Sequence, residues 1–348
     1  MSYLIFFSVC LSLFFSFPRL DYTFIHQGDW EIIQKQAYSL IDSSIFDKVP
    51  HDQHAAKRFY RITLPLLVRF FHLNITGMLL LQFVLTVLNY YLLARFIFKT
   101  TANKFITAYL LLASALVFSF RLGFNEMWGH FDILPLVLIT ISLSFRNSFT
   151  VFLSVFFACW SDERAILASL VTALFWYQQD EKISSRPLLA AIGALGLYVV
   201  LRLTIRSVTG YETPMQGFGV GPECLIYTLP IFIPNLLQSL EGFWILVLLY
   251  LYTLTLQNKK ILLYGTLALL LATLAGSLMV YDIFRSLAYL TPFVYLCLPA
   301  LKAQLNEKLC FIILLCCLVY PSNPLLMNDN LMVSGNLAIY EIGRMIMK

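Results

Sequence analysis

The sequence predicts an all-α fold, a polytopic membrane helical bundle of about 11 transmembrane helices in one membrane domain, 1–348. Of the 348 residues, 59% are hydrophobic and only 12% are charged, whereas soluble proteins carry roughly 25% charged residues. The mean hydropathy is +0.78. Because a spanning helix needs about 20 apolar residues, this length leaves no room for a separate large soluble domain.

The apolar runs give the order of the spans. Residues 3–17 lack a basic n-region and a cleavage site, so we interpret them as a retained first span rather than a signal peptide. We expect 225–256 to hold a short re-entrant or interfacial piece followed by one true span, 242–256, because Pro230, Pro234 and Glu241 interrupt it. The other predicted spans are 75–97, 105–120, 131–145, 148–160, 165–178, 187–203, 261–280, 286–301 and 309–320.

Charge in the short loops predicts the orientation. Alternate connections all carry Lys or Arg, and the positive-inside rule places such loops in the cytoplasm. The basic connections are 98–104, 146–147, 179–186, 257–260 and 302–308. This alternation holds only if the short apolar segment 63–73 does not cross. We therefore predict an interfacial or re-entrant helix there, within a first outer loop 18–73, and an outer C-terminal tail 321–348.

Acidic residues gather on the opposite, outer face. Of 19 Asp and Glu, only Asp180, Glu181 and Glu307 fall on the cytoplasmic side, which leaves 16 in outer loops or at outer helix ends. Several basic residues lie there too, against the topological bias. Because charge near a membrane is costly, such residues indicate function. Mutual salt bridges that only hold the loops together are the alternative.

Other site types find little support. The seven cysteines show no ligand spacing, and most lie in apolar runs, which favours a packing role. His51, Asp52 and His54 are a weak metal signal. The sequence contains no Walker A or dinucleotide-binding motif. The basic residues are spread over short loops, which does not favour a nucleic-acid partner.

The first polar segment, residues 21–46, contains the candidate catalytic acids. From Asp29 onward, apolar residues recur at helical spacing, so Asp29 stands at a predicted helix N-terminus. It is either a helix cap or a general base held at the membrane face. Asp21 is the second catalytic candidate.

The remaining polar segments supply candidate binding residues. Arg58 and Arg61, three apart, would share a helix face and suit a phosphate; snorkelling to lipid headgroups is the alternative. The Gly- and Pro-rich loop 209–223 is either a mobile cover for a site or a plain connector. The candidate substrate- and phosphate-binding residues are Arg58, Arg61, Glu126, His130, Asp132, Asp162, Glu163, Arg164, Asp282 and Arg285.

The layout of the sequence resembles that of the GT-C superfamily of membrane glycosyltransferases. It has one short span, then a polar outer loop with an early Asp, and then many later spans. GDWEIIQKQAY (28–38) and YRITLPLL (60–67) resemble the family's acidic motif and its Tyr-Arg-x-x-x-Pro-like stretch. FRLGFNEMWGHFDILP (120–135) resembles its polar turn before a later span. Where the family often shows two acids, Gln27-Gly28-Asp29 keeps only the second, so a divalent cation is left open as a cofactor.

The resemblance implies an enzyme that transfers a sugar from a polyprenyl-phosphate-linked donor to an acceptor hydroxyl on a glycan, lipid or protein. It implies Asp29 as the general base. The active face would be periplasmic in a bacterial inner membrane, or lumenal in the endoplasmic reticulum.

Other functions remain as alternatives. A transporter or flippase for a lipid-linked glycan would place ionisable residues nearer the bilayer midplane, whereas the predicted spans 105–320 are nearly free of charge in their interiors. A glycan polymerase or a membrane acyltransferase also uses outer Arg and His residues, and the sequence separates these poorly from a glycosyltransferase.

Overall fold

The structure, a computed structural model, describes residues 1–16, 29–42, 58–125, 130–211, 220–280, 282–319, 325–328 and 331–334. Within these ranges the regular secondary structure is helical except for one pair of short antiparallel strands and an isolated bridge between Val220 and Val280. The helices are α1 Ser2–Ser16, α2 Trp30–Tyr38, α3 Thr63–Phe71, α4 Ile75–Thr101, α5 Lys104–Leu116, α6 Leu122–Asn125, α7 Ile133–Ser144, α8 Ser148–Cys159, α9 Ala165–Asp180, α10 Arg186–Thr209, α11 Leu225–Leu240, α12 Trp244–Leu256, α13 Lys260–Leu278, α14 Ile283–Leu287, α15 Thr291–Ala300 and α16 Glu307–Val319.

Every predicted span coincides with a helix, so the predicted helical fold is confirmed over the described residues. Five segments are long and apolar enough to cross a membrane: 75–101, 186–209, 222–256, 260–278 and 283–300. Four shorter apolar helices, α1, α5, α7 and α8, add to the bundle. The larger number of about 11 spans stays a prediction.

The connections between helices collect at two ends of the bundle. At one end, which we call the basic-loop end, the turns after α4, α7, α9, α12 and α15 lie close together. Asn103 contacts Glu307 at 3.1 Å, Arg146 contacts Asp180 and Lys259 contacts Glu181 at 2.7 Å. The other, polar end carries the segments that begin or end at residues 58–61, 130–132, 162–164 and 282–285. The predicted grouping of the loops agrees with this arrangement.

The short apolar segment after the first polar loop forms α3, a helix of 9 residues. At 1.5 Å per residue it is about 13 Å long, too short to cross a bilayer. Leu64 and Val68 of α3 pack in a small core with Trp30, Ile33 and Ala37 of α2. The prediction that 63–73 does not cross is consistent with this length.

The segment 225–256 is broken at Glu241, which adopts φ 46°. Both ends of α11 contact segments near the polar end: Thr228 donates to the carbonyl of Leu278 at 2.8 Å, and Ser119 donates to that of Ser239 at 2.7 Å. Helix α11 therefore lies near this end, and α12 follows the break; that 242–256 is the one true span of this segment stays a prediction.

The centre of the bundle is the segment Ile283–Ala300, of which 83% is buried, against 22% for Lys260–Leu278 at the periphery. Its Tyr289, Phe293 and Leu296 lie in the main core. Its second half, α15, is apolar on nearly all sides, which fits this central position.

The C-terminal tail departs from the all-α prediction. Strands β1 Leu325–Asn328 and β2 Leu331–Ser334 form an antiparallel pair in which Leu325 faces Ser334 and Asn328 faces Leu331. Leu326, Met327, Met332 and Val333 are strand-compatible residues, and the tail was predicted only as an outer extension.

Candidate functional site

Asp29 occupies the N-cap position of α2, yet its side chain makes no capping hydrogen bond. Its Oδ2 instead accepts a 2.6 Å hydrogen bond from Nε of Arg58, and Nδ1 of His130 lies 3.6 Å from the same oxygen. The capping alternative for Asp29 is therefore wrong. Three segments far apart in sequence converge at this carboxylate.

Arg58 is held by the turn that it begins. The side-chain amide of Gln36 donates to the carbonyl oxygens of Arg58 at 3.2 Å and Phe59 at 3.1 Å, which ties this turn to α2. The Arg58 side chain is only 3% exposed, and the Asp29 carboxylate beside it supplies the countercharge that a buried guanidinium needs.

The Arg61 side chain contacts different acids from those near Arg58. Its guanidinium lies 3.3 Å from Asp162 and 3.1 Å from Glu163, and Thr63 Oγ1 fixes the segment by donating to the carbonyl of Phe157 at 2.8 Å. The expectation that Arg58 and Arg61 present one paired face is wrong, since the Arg58 side chain binds Asp29 whereas that of Arg61 binds Asp162 and Glu163.

Asp132 is the most enclosed acid of the site. Its side chain is fully buried between two arginines: Arg164 Nη2 is 2.8 Å from Oδ1, and Arg285 Nε donates to Oδ2. Like Asp29, Asp132 stands at a helix N-cap without capping the helix with its side chain. The sequence identified its position at the start of a span but not its two partners.

Arg164 joins the acids of two loops. It makes a bidentate pair with Asp162, with distances of 2.8 and 2.7 Å, in addition to its contact with Asp132. Its Nη1 donates to Ser286 Oγ at 3.3 Å. Arg285 in turn contacts Asp282 at 2.9 Å.

These contacts form one continuous array, which we call the ion-pair chain. Acids and arginines alternate along it, so its formal charges cancel. In spatial order it runs Asp282, Arg285, Asp132, Arg164, Asp162, Arg61, Glu163 and Arg202.

Arg202 and three tyrosines belong to the site but were not among the predicted site residues. Arg202 lies 3.5 Å from Glu163, its guanidinium carbon is 4.5 Å from the Tyr60 ring centre, and it donates to the Tyr198 hydroxyl. Arg164 lies 5.0 Å over the ring of Tyr289. The sequence did carry a feature that could have identified Arg202 as a site residue, because it is an arginine inside an apolar helical run. Tyrosine in an apolar run carries no comparable signal.

Burial and charge act in opposite directions on the acids. Burial alone would raise the pKa of Asp132, but the guanidinium groups of Arg285 and Arg164 outweigh it and hold that pKa well below its usual range. In the same way, burial opposes ionisation of Asp162, and Arg164 and Arg61 lower its pKa. Both carboxylates are therefore ionised at neutral pH.

The pKa values of the arginines are shifted upward, opposite to those of the acids. Burial lowers the pKa of Arg164, but Asp162 and Asp132 more than compensate and raise it well above its usual value. Asp162 and Glu163 likewise raise the pKa of Arg61 against the effect of burial. The arginines and acids that the loops contribute to the ion-pair chain are therefore both ionised at neutral pH.

Near Asp132, the buried Nη2 of Arg285 and the buried hydroxyl of Tyr289 have no hydrogen-bond partner among the described residues. The Tyr289 side chain is 1% exposed, and Arg285 is 5% exposed. Because the two residues are four apart, they lie on one face of their helical segment. A buried donor without an acceptor costs free energy unless a ligand or water satisfies it.

Not every predicted residue lies within this site. Asp21 and Glu126 fall outside the described residues, as do His51, Asp52 and His54. Arg121 is fully buried beside α1, with its guanidinium 5.8 Å from the Phe15 ring. Among described residues, no group of three or more His, Cys, Asp or Glu is placed to hold a metal ion.

No protein-family model, curated protein or solved structure matches this chain.

Proposed function

We propose that this chain is a membrane glycosyltransferase that transfers a sugar from a polyprenyl-phosphate-linked donor to an acceptor hydroxyl at the polar end. One observation carries the proposal: acids and arginines from five chain segments meet at one end of an apolar helical bundle, namely 29, 58–61, 130–132, 162–164 and 282–285. The lipid part of such a donor stays in the bilayer, while its phosphate and sugar reach the helix ends where these residues lie.

The burial of the ion-pair chain supports a functional role. Removing paired charges from water costs several kcal/mol per ion, and apolar residues of similar size often stabilise a protein as well. Asp132 is 0% and Asp162 is 2% exposed in their side chains. Burial of such acids between arginines is therefore costly for stability, and strongly perturbed groups are typical of functional sites.

Asp29 is suited to the role of general base. Arg58 at 2.6 Å stabilises the ionised carboxylate, the form that accepts a proton from the acceptor hydroxyl. The Asp29 side chain is 16% exposed, more than Asp132 or Asp162, so an acceptor can approach it.

The leaving phosphate requires hydrogen-bond donors that stabilise its negative charge. Its negative charge grows as the bond from the sugar carbon to the phosphate oxygen breaks, and fixed donors that meet this charge lower the barrier. The Arg285 Nη2 and Tyr289 hydroxyl groups, both without acceptors among the described residues, can fill this role. Arg guanidinium groups bind phosphate oxygens in a preferred geometry.

The test is transfer of radiolabelled sugar from a polyprenyl-phosphate donor by the purified chain. We expect Asp29→Asn, which keeps the shape but removes the charge, to lower the transfer rate by about 100-fold or more. Glu181→Gln removes an acid at the basic-loop end and is the matched control, with wild-type activity expected. Full activity of Asp29→Asn would exclude the residue as the base.

The same assay separates the alternatives. A lipid-linked glycan transporter would move the intact donor across vesicles without breaking its sugar–phosphate bond. A glycan polymerase would transfer label only when a second lipid-linked glycan is the acceptor. Donor that remains intact under every acceptor condition would overturn the glycosyltransferase proposal.

A further inference from the structure

A second polar site lies at the basic-loop end, away from the ion-pair chain. It is a cavity of about 550 Å³ between the turn that precedes α8 and the turn that precedes α10. Its lining includes Arg146, Ser148, Asp180, Lys182, Ser185 and Arg186. Three cationic side chains thus face one carboxylate.

The backbone adds positive potential to this cavity. Helices α8 and α10 pack against each other, and both begin at the cavity lining, at Ser148 and Arg186. The N-terminus of each helix carries a partial positive charge. Ser185 does not cap α10 with its side chain, because its hydroxyl donates to Asp180 instead.

The position of Arg186 is electrostatically unfavourable in the absence of an anion. A cation in the first turn of a helix opposes the helix dipole, and Lys182 and Arg146 line the same cavity. Asp180 is already engaged by Arg146 and Ser185. A negatively charged group in the cavity would relieve the repulsion that remains.

Apolar side chains beside the cavity indicate what carries this negative charge. Phe149 is 69% exposed, Leu189 52% and Ile192 50%, and they lie within the first two turns of α8 and α10. A free phosphate ion would gain nothing from these side chains. The acyl chain of a lipid would cover them while its headgroup filled the cavity.

We propose that this cavity binds the phosphate headgroup of an anionic phospholipid, with the acyl chains along α8 and α10. Arginine forks and helix N-termini are the groups that bind phosphate in proteins. Basic pockets at the ends of membrane helices bind anionic headgroups. The proposal does not depend on sugar transfer at the polar end.

The test is native mass spectrometry of the full chain in detergent, with added phosphatidylglycerol or phosphatidylcholine. We expect the wild type to retain phosphatidylglycerol preferentially. In Lys182→Gln/Arg186→Gln, this preference should fall by about tenfold or more, because each basic residue near the headgroup contributes roughly a factor of five.

The matched control is Lys259→Gln/Lys260→Gln, which removes the same charge beside a neighbouring cavity of about 430 Å³ at the same end. It should keep the preference for phosphatidylglycerol. Equal loss in both double variants would show that overall surface charge holds the lipid, and would overturn the proposal.

Two further measurements test whether a lipid or a free phosphate is bound and whether the variants are folded. Glycerol phosphate at millimolar concentration should not displace the lipid; displacement would mean that the acyl chains contribute nothing, against the proposal. Circular dichroism and size-exclusion elution of both double variants should match the wild type. If the Lys182/Arg186 variant alone unfolds, the single variant Lys182→Gln, which leaves α10 unchanged, must show a smaller loss of the same preference.

Discussion

Single residues in the ion-pair chain have sharply different surroundings. Asp132 has two arginine partners and no exposure, whereas Glu163 is 28% exposed and Asp282 30%. Glu181 at the other end pairs with Lys259 on the surface. Coulomb attraction is stronger where water is excluded, so the same chemical type of ion pair has different importance at each position.

Asp132→Asn should strongly destabilise the protein, because it removes the buried countercharge that Arg164 and Arg285 share and leaves each of them with only its second acid, Asp162 or Asp282. Removing one partner of a buried pair costs about 3–5 kcal/mol, and here two arginines share the loss. Thermal unfolding of the purified variant in detergent measures the effect. The exposed Glu181→Gln should unfold at the wild-type temperature; equal shifts for the two variants would contradict the difference in burial.

At the level of elements, the break at Glu241 allows a close helix crossing. Gly242 follows the break, and a Cβ atom there would lie well within van der Waals distance of the Ile313 carbonyl oxygen of α16. The absence of a side chain thus brings the 241–243 turn and α16 into backbone contact. Because the obstructing atom belongs to the backbone, it cannot move aside as a flexible side chain could.

Gly242→Ala should therefore lower stability by about 1–3 kcal/mol, the usual range for overpacking. Gly276→Ala in α13 is the control, because nothing lies within 4 Å of its Cβ position, and alanine favours a helix over glycine. Thermal unfolding should show opposite signs for the two substitutions. A neutral Gly242→Ala would mean that α16 does not pack tightly on this turn.

For the whole molecule, the two ends differ in how their charges are placed. Among the described residues, the charges of the ion-pair chain at the polar end are paired and buried or half-buried, whereas the basic side chains at the basic-loop end are mostly exposed and outnumber the acids there. Hydrophobic side chains cover the helices between these ends, including Leu203 at 57% exposure, Leu248 at 63% and Leu271 at 63%. An apolar surface between two polar ends is typical of a protein that lies in a bilayer.

The positive-inside rule predicts which end faces the cytoplasm. Lys35→Cys on α2, at the polar end, should react with a membrane-impermeant maleimide in intact cells. Ile183→Cys, which replaces a side chain 74% exposed at the basic-loop end, should react only after permeabilisation. The reverse pattern would invert the orientation, and labelling of both from outside would contradict the two-end arrangement. The wild-type chain provides the background.

Composition and periodicity were sufficient to locate the apolar helices. The lengths of the apolar runs located the helices, the prolines and Glu241 located the break in 225–256, and basic loops indicated which connections share an end. These features depend on neighbouring residues, so they can be recognised in one chain. The hairpin at 325–334 was missed, because two four-residue strands carry little periodic signal.

The sequence by itself determined which charged residues are energetically unfavourable to place near a bilayer. It identified Asp29, Asp132, Arg164 and Arg285 as charged residues close to apolar segments. Only the tertiary structure decided their partners. Pairing Asp132 with Arg285 joins positions 153 residues apart, and such contacts follow from helix packing rather than local spacing. The same holds for Tyr289, whose hydroxyl acquires a place in the site only because its helix is central.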